Sequence, residues 1–297
     1  EVTADTRAKI TSFVERYFKG NIVMTTQPLE WLPPSTADFF ALQPLNQNQM
    51  AEFLISRYSS LVETDCDASV YQRTCENYVS KMLSPSLKEE ESTAIRHTLS
   101  NPMDLTLIAQ MLSHNEMPDL FRLQEQQYQI MATDYQVKNL HSFPLCSFSE
   151  AVYQMRSNDQ EIIQSAQFWN ELCCLERYKM VLGRQSRDIE GNPIKVWSFR
   201  HDKIEDYFIV QTFLGENNTR PKKHMNDPRF RGVYFLMATL LSKAAAKKLR
   251  EKLIHYAADS GDHTVSDTFV KLLLSREEME SVTNNITTVS RDTCGNH

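Results

Sequence analysis

Glycine is scarce in this sequence, with seven in 297 residues. Sheet-rich enzymes place glycine at tight turns, so the scarcity argues against a large sheet. No glycine is followed by lysine, which excludes the phosphate-gripping pattern G-x-x-x-x-G-K-[ST] from this chain. The six cysteines, Cys66, Cys75, Cys146, Cys173, Cys174 and Cys294, form no C-x-x-C pair and have no histidine cluster beside them. A zinc site is therefore not expected. Scattered thiols suit a reducing compartment, and a cytoplasmic location is expected. No apolar run is long enough to span a membrane, and the opening residues do not read as a signal peptide, so none is expected. Excess basic charge is also missing. Lys and Arg number 32 against 38 Asp and Glu, for a net charge of -6, which disfavours a dedicated nucleic-acid binder. Asn217-Asn218-Thr219 and Asn285-Ile286-Thr287 match the glycosylation tripeptide, which is common by chance.

What remains is rich in Leu, Met, Gln, Glu and Lys, and predicts a mostly helical protein. The chain opens at Glu1 on the edge of a helix, as expected for a piece of a longer protein. Ile10, Phe13, Val14 and Tyr17 recur at helical spacing, and Gly20 ends that helix. Asn21 to Thr26 is a short β-branched run that reads as a buried strand, followed by the breakers Pro28, Pro33 and Pro34. Helix, glycine and strand make one unit of an α/β sheet, and no convincing second unit follows. Asn46 can cap a helix that presents Met50, Phe53, Leu54 and Leu61. A charged helix is expected over 86–98. Another starts at Asn101-Pro102 with Leu105, Ile108, Ala109 and Leu112 inward, and a further one covers 120–140.

Residues 149–214 change character. Helices over 149–156 and 159–175 lead to a strand at 178–182, a turn at Glu190-Gly191-Asn192-Pro193 and a strand from Ile194 to Phe199. Asp202 as cap with Glu205 three residues on gives a capping-box pattern for the next helix. Helix, helix, hairpin, helix is the plan of a winged helix. Four more helices follow near 227–241, 243–258, 264–274 and 276–284. The expected fold is mainly α: a helical bundle, a winged helix and a helical tail, preceded by the remnant edge of a P-loop α/β domain. The expected domains are 1–40, 41–148, 149–215 and 216–297.

Three stretches, taken in order, resemble the NACHT family of STAND NTPases. Asn21 to Pro28 followed by Leu42-Gln43-Pro44-Leu45 and Glu52-Phe53-Leu54 is similar to the sensor-1 strand and its L-x-P-L segment. Leu99 to Leu105 is similar to the proline motif of the first helical domain, and Phe199 to Tyr207 to the winged-helix histidine motif. The resemblance covers roughly residues 1–215. It implies a regulatory switch in innate immunity or anti-phage defence that closes over ADP and opens to oligomerise. His201 would meet the β-phosphate, Pro102 the adenine, and Thr25, Thr26 and Gln27 the nucleotide at the strand end. ATP or ADP with Mg²⁺ would be the cofactor of the intact protein. The partners would be the rest of its own NTPase domain, further copies of itself and an unnamed trigger, with no membrane.

Two departures qualify that expectation. The family's arginine after the threonine pair is Gln27 here, and an amide cannot supply its charge. The phosphate loop and the Mg²⁺-binding aspartate are also absent, so this chain alone is expected to be catalytically inactive. Each motif also has a plainer explanation. His201 could pack under the hairpin, Pro102 fits the first turn of any helix, and the threonines suit any strand. Lys243, Lys247, Lys248, Arg250 and Lys252 read first as a solvated helix face, and Cys173-Cys174 as core packing. The alternatives to the switch are a helical scaffold that has lost nucleotide use and a winged-helix DNA binder.

Overall fold

The computed structural model describes residues 4–16, 19–20, 23, 38, 40–61, 67–84, 95–96, 98–163, 167–187, 190–215, 218–263, 265–274 and 276. The chain divides into two compact units, 1–44 and 45–297. In the first, α1 spans Ala4–Arg16. Ile10 and Val14 are half-buried while Phe13 is exposed. Val23 lies outside regular structure and is 93% exposed, so the buried strand expected there is not seen at that residue. The other residues of that run, including Thr25 and Thr26, lie outside the described residues, as does Gln27.

The second unit is mainly helical. α2 (Gln47–Ser56) starts with a complete capping box: Asn46 Oδ1 accepts from Gln49 N–H at 3.0 Å, and Gln49 Oε1 accepts from Asn46 N–H at 2.9 Å. A 3₁₀ turn (Tyr58–Ser60) and α3 (Ala68–Met82) follow. α4 (Pro102–Ser113) is capped by the Asn101 side chain, which accepts from Met103 N–H at 2.9 Å. Pro102 stands at the first turn, where its missing N–H costs nothing. The inward residues of α4 include Leu105, Ile108, Ala109 and Leu112, as their spacing predicts. With Met50, Leu54, Tyr71, Val79 and Leu99 they form a first apolar core. Most of the charged helix expected over 86–98 lies outside the described residues.

α5 (Leu123–Asn139) joins the two cores of this unit. Leu123 ends the first, and Tyr128, Met131 and Tyr135 open the second. α6 (Leu145–Ser157) and α7 (Trp169–Arg177) precede the hairpin of β1 (Val181–Arg187) and β2 (Pro193–Phe199). The strands pair antiparallel from Val181↔Phe199 to Arg187↔Pro193, and Gly191 takes φ +87° in the connection. This hairpin is the only sheet among the described residues. The single helix expected over 159–175 is corrected. Ile163 instead donates its N–H to Trp197 O at 2.9 Å and bridges to β2, so that helix starts only at Trp169. Of the cysteine pair, Cys174 is buried and Cys173 exposed, since neighbouring helix positions point about 100° apart.

α8 (Asp202–Gln211) carries Ile204, Tyr207, Phe208, Ile209 and Val210 into the second core. A short helix α9 (Arg220–Lys223), a 3₁₀ turn (Pro228–Phe230), α10 (Arg231–Leu240) and α11 (Lys243–Ser260) follow. Gly261 at φ +73° ends α11, and a helical stretch over 265–274 completes the described tail. Residues 277–284 of the last expected helix lie outside the described residues. Phe213, Phe230, Tyr234 and Phe269 share one apolar cluster with Phe148 and Phe208, so the tail packs on the same core as the hairpin unit.

Candidate functional site

The cap of α8 lies one residue earlier than the Asp202 pattern predicts. His201 has extended backbone (φ -156°, ψ 144°) and is itself the cap, with Nδ1 accepting from Lys203 N–H at 3.2 Å. Asp202 is already helical. Glu205 reaches Arg156 Nε at 2.9 Å instead of folding back on the cap. The capping box expected at Asp202 and Glu205 is therefore replaced by a histidine cap. Ile204 N–H also bonds the His201 carbonyl at 3.0 Å. The first-turn donors that a phosphate could use are thus partly engaged, and the remaining donor of interest is the imidazole.

Its chemistry follows from those contacts. Accepting at Nδ1 requires the proton on Nε2, which leaves Nε2–H as a donor. Burial lowers the His201 pKa, with Lys203 adding to the effect and Asp202 and Asp104 opposing it. The ring is therefore neutral near pH 7, and acts as a hydrogen-bond donor and not as a charge.

Lys203 ties this turn to the start of α4. Its Nζ lies 2.7 Å from Asp104 Oδ2, and the Asp104 side chain is only 5% exposed. Asp104 Oδ1 is buried with no hydrogen-bond partner. The pair links the first turns of α4 and α8, so two helix N-termini, each with a positive dipole end, lie next to each other.

Between them opens a cavity of about 500 Å³. Pro102, Met103, Thr106, Leu107 and Gln110 of α4 line it, and so do His201 and Ile204. Phe53 of α2, Arg57 at its C-cap and Leu61 after the 3₁₀ turn add to the wall, as do Gln127 and the turn Arg177-Tyr178-Lys179. Pro102 and His201, 99 positions apart, thus share one cavity. No local pattern around Arg57, Lys179 or Arg200 marks them for this place. Thr25, Thr26 and Gln27 lie outside the described residues. Among the described residues no group of three or more His, Cys, Asp or Glu could hold a metal ion. No helix among them is long and apolar enough to cross a membrane.

A second cavity, of about 740 Å³, lies between the hairpin, α6, α8 and the start of α10. Its floor is an ion-pair knot. Arg156 bonds Glu205 and Asp206 and donates to Arg229 O at 3.0 Å. Arg229 in turn holds Asp227 at 2.8 Å and Asp159 at 2.7 Å. Burial pushes the Asp206 carboxyl up to about 6, against the pull of Arg156 and with help from Glu205 and Asp202. The knot is structural: it clamps α6, α8 and the 3₁₀ turn together.

Comparison of the chain with protein-family models, with curated proteins and with solved structures finds no match.

Proposed function

We propose that this chain is the switch module of a NACHT-type STAND signalling NTPase, which closes over ADP and opens to oligomerise on activation. The observation that carries this is the shared cavity of Pro102 and His201. The resemblance assigns the first to adenine and the second to the β-phosphate, and one ligand in this cavity could touch both. A volume of about 500 Å³ lies within the range of small-molecule sites. The neutral imidazole with Nε2–H as donor suits a phosphate oxygen. The order α6, bridging Ile163, α7, hairpin and α8 supports the winged-helix interpretation of residues 149–215. The Mg²⁺ of the complex would be held from outside the described residues.

Nucleotide drives such a switch only by binding one arrangement better than the other. Contacts from α4 and α8 supply that difference, because the closed form alone brings both to the ligand. The test is the assembly state of the intact protein by light scattering. With ADP it stays monomeric, and with a non-hydrolysable ATP analogue and trigger it assembles. Assembly that ignores the nucleotide would overturn the proposal and favour the helical scaffold.

A further inference from the structure

The cavity of Pro102 and His201 is also strongly one-sided in charge. Four of its lining side chains are cationic, namely Arg57, Arg177, Lys179 and Arg200, and none is acidic, in a chain of net charge -6. The second cavity has the opposite balance, with five carboxylates against three guanidinium groups. Arg177 is answered by Asp134. Lys179 and Arg200 are exposed, and neither has a side-chain partner among the described residues.

The backbone holds these cations in place. Val181 pairs with Phe199, and Arg200 N–H bonds Met180 O at 3.0 Å, so Lys179 and Arg200 leave the same end of the hairpin side by side. Lys179 sits at φ +59°, a conformation unfavourable for a residue with a Cβ, and its N–H is held by Glu176 O at 3.0 Å. Arg57 ends α2 with its guanidinium 4.2 Å over the Phe53 ring, which orients the planar donor group. Its Nε is buried with no hydrogen-bond partner. Like charges gathered at one opening repel, and an anion with several charged oxygens relieves that repulsion. Guanidinium forks match phosphate oxygens, and a lysine adds a point charge.

We propose that Arg57, Lys179 and Arg200 form a polyphosphate clamp. Its ligand chemistry is a chain of phosphates, either that of a nucleoside di- or triphosphate or free inorganic polyphosphate. The clamp rests on the nucleotide-switch proposal for the nucleoside part of the ligand. It places phosphate grip in the helical and hairpin elements themselves.

Calorimetry on the full chain tests this with sodium tripolyphosphate, ADP and adenosine as separate probes, at low and high salt. Lys179→Asn removes a charge while tolerating the left-handed backbone, Arg200→Gln neutralises an exposed site, and Arg57→Met keeps an apolar contact on Phe53. Circular dichroism checks that each variant is folded. Tripolyphosphate should bind wild type, more weakly as salt rises, and each variant should lose about tenfold in affinity. No binding of tripolyphosphate by wild type, or unchanged binding by folded Lys179→Asn and Arg200→Gln, overturns the clamp. If tripolyphosphate and ADP bind alike and adenosine not at all, the clamp stands and the nucleotide proposal loses its base contact. If ADP binding drops with His201→Asn and ignores all three clamp variants, the nucleotide proposal stands and the clamp falls.

Discussion

Asp206→Asn should change how stability depends on pH. In the fold the Asp206 carboxyl is pushed from its ordinary 3.8 up to about 6, chiefly by burial. A displacement of that size corresponds to about 3 kcal/mol. The folded state binds more protons than the unfolded state between those two values, so stability falls as pH rises through that window. Its contribution is fully present below pH 3.8 and lost above about 6. Asparagine does not titrate. Other carboxylates work the other way: Glu150, held by Arg220, Glu176, held by Lys195, and Asp227, held by Arg229, are all lowered and stabilise at higher pH. The informative quantity is therefore the difference between wild type and variant. Urea unfolding at closely spaced pH values should show wild type losing up to about 3 kcal/mol relative to Asp206→Asn as pH rises from about 4 to 6, with parallel curves above. A difference of opposite slope would rule out a raised Asp206 carboxyl. It would mean that Arg156 holds the carboxyl below its ordinary range and that ion pairing, not burial, governs the knot.

A Cβ at Gly232 would overlap Asp206 Oδ2, so Gly232→Ala should push the carboxylate off Arg156 and destabilise by about 3 kcal/mol in urea unfolding. Lys203→Met leaves Asp104 buried without its cation and should cost about 2 kcal/mol, and Asp104→Asn in the same chain should recover much of that loss in a double-mutant cycle. Leu140 caps α5 at φ +61° while 92% exposed, so Leu140→Gly should stabilise by about 1 kcal/mol and raise the melting temperature by a few degrees.

Local chemistry made much of the helical framework legible. Asn46 as a cap, Asn101 before Pro102, the Gly191 turn and the apolar face of α8 all declare themselves within a few residues. What escaped depends on partners distant in sequence. Nothing near residue 163 announces that Ile163 will bridge to Trp197 and delay α7 to Trp169. Asp202 was the better cap by residue type, yet the extended backbone at His201 gives the cap to the imidazole. The knot joins Arg156 to carboxylates 49 and 50 positions away. Of the candidate site, Pro102 and His201 were readable as motif positions, and their common cavity was not. Arg57, Lys179 and Arg200 sit in three separate segments with ordinary flanks, and only folding gathers them.

If His201 holds the nucleotide in the closed state, the ADP off-rate of the intact protein depends on its imidazole. Because His201 also caps α8, alanine alone confounds two roles. His201→Asn separates them: asparagine keeps a capping acceptor for Lys203 N–H and loses the Nε2–H donor. Losing that donor should cost about 1–3 kcal/mol of binding, or roughly fivefold to 150-fold in the off-rate. ADP release should be faster from both His201→Asn and His201→Ala, with a lowered melting temperature in the nucleotide-free form only for alanine. Normal ADP release from His201→Asn would rule that role out and leave His201 as a helix cap and nothing more.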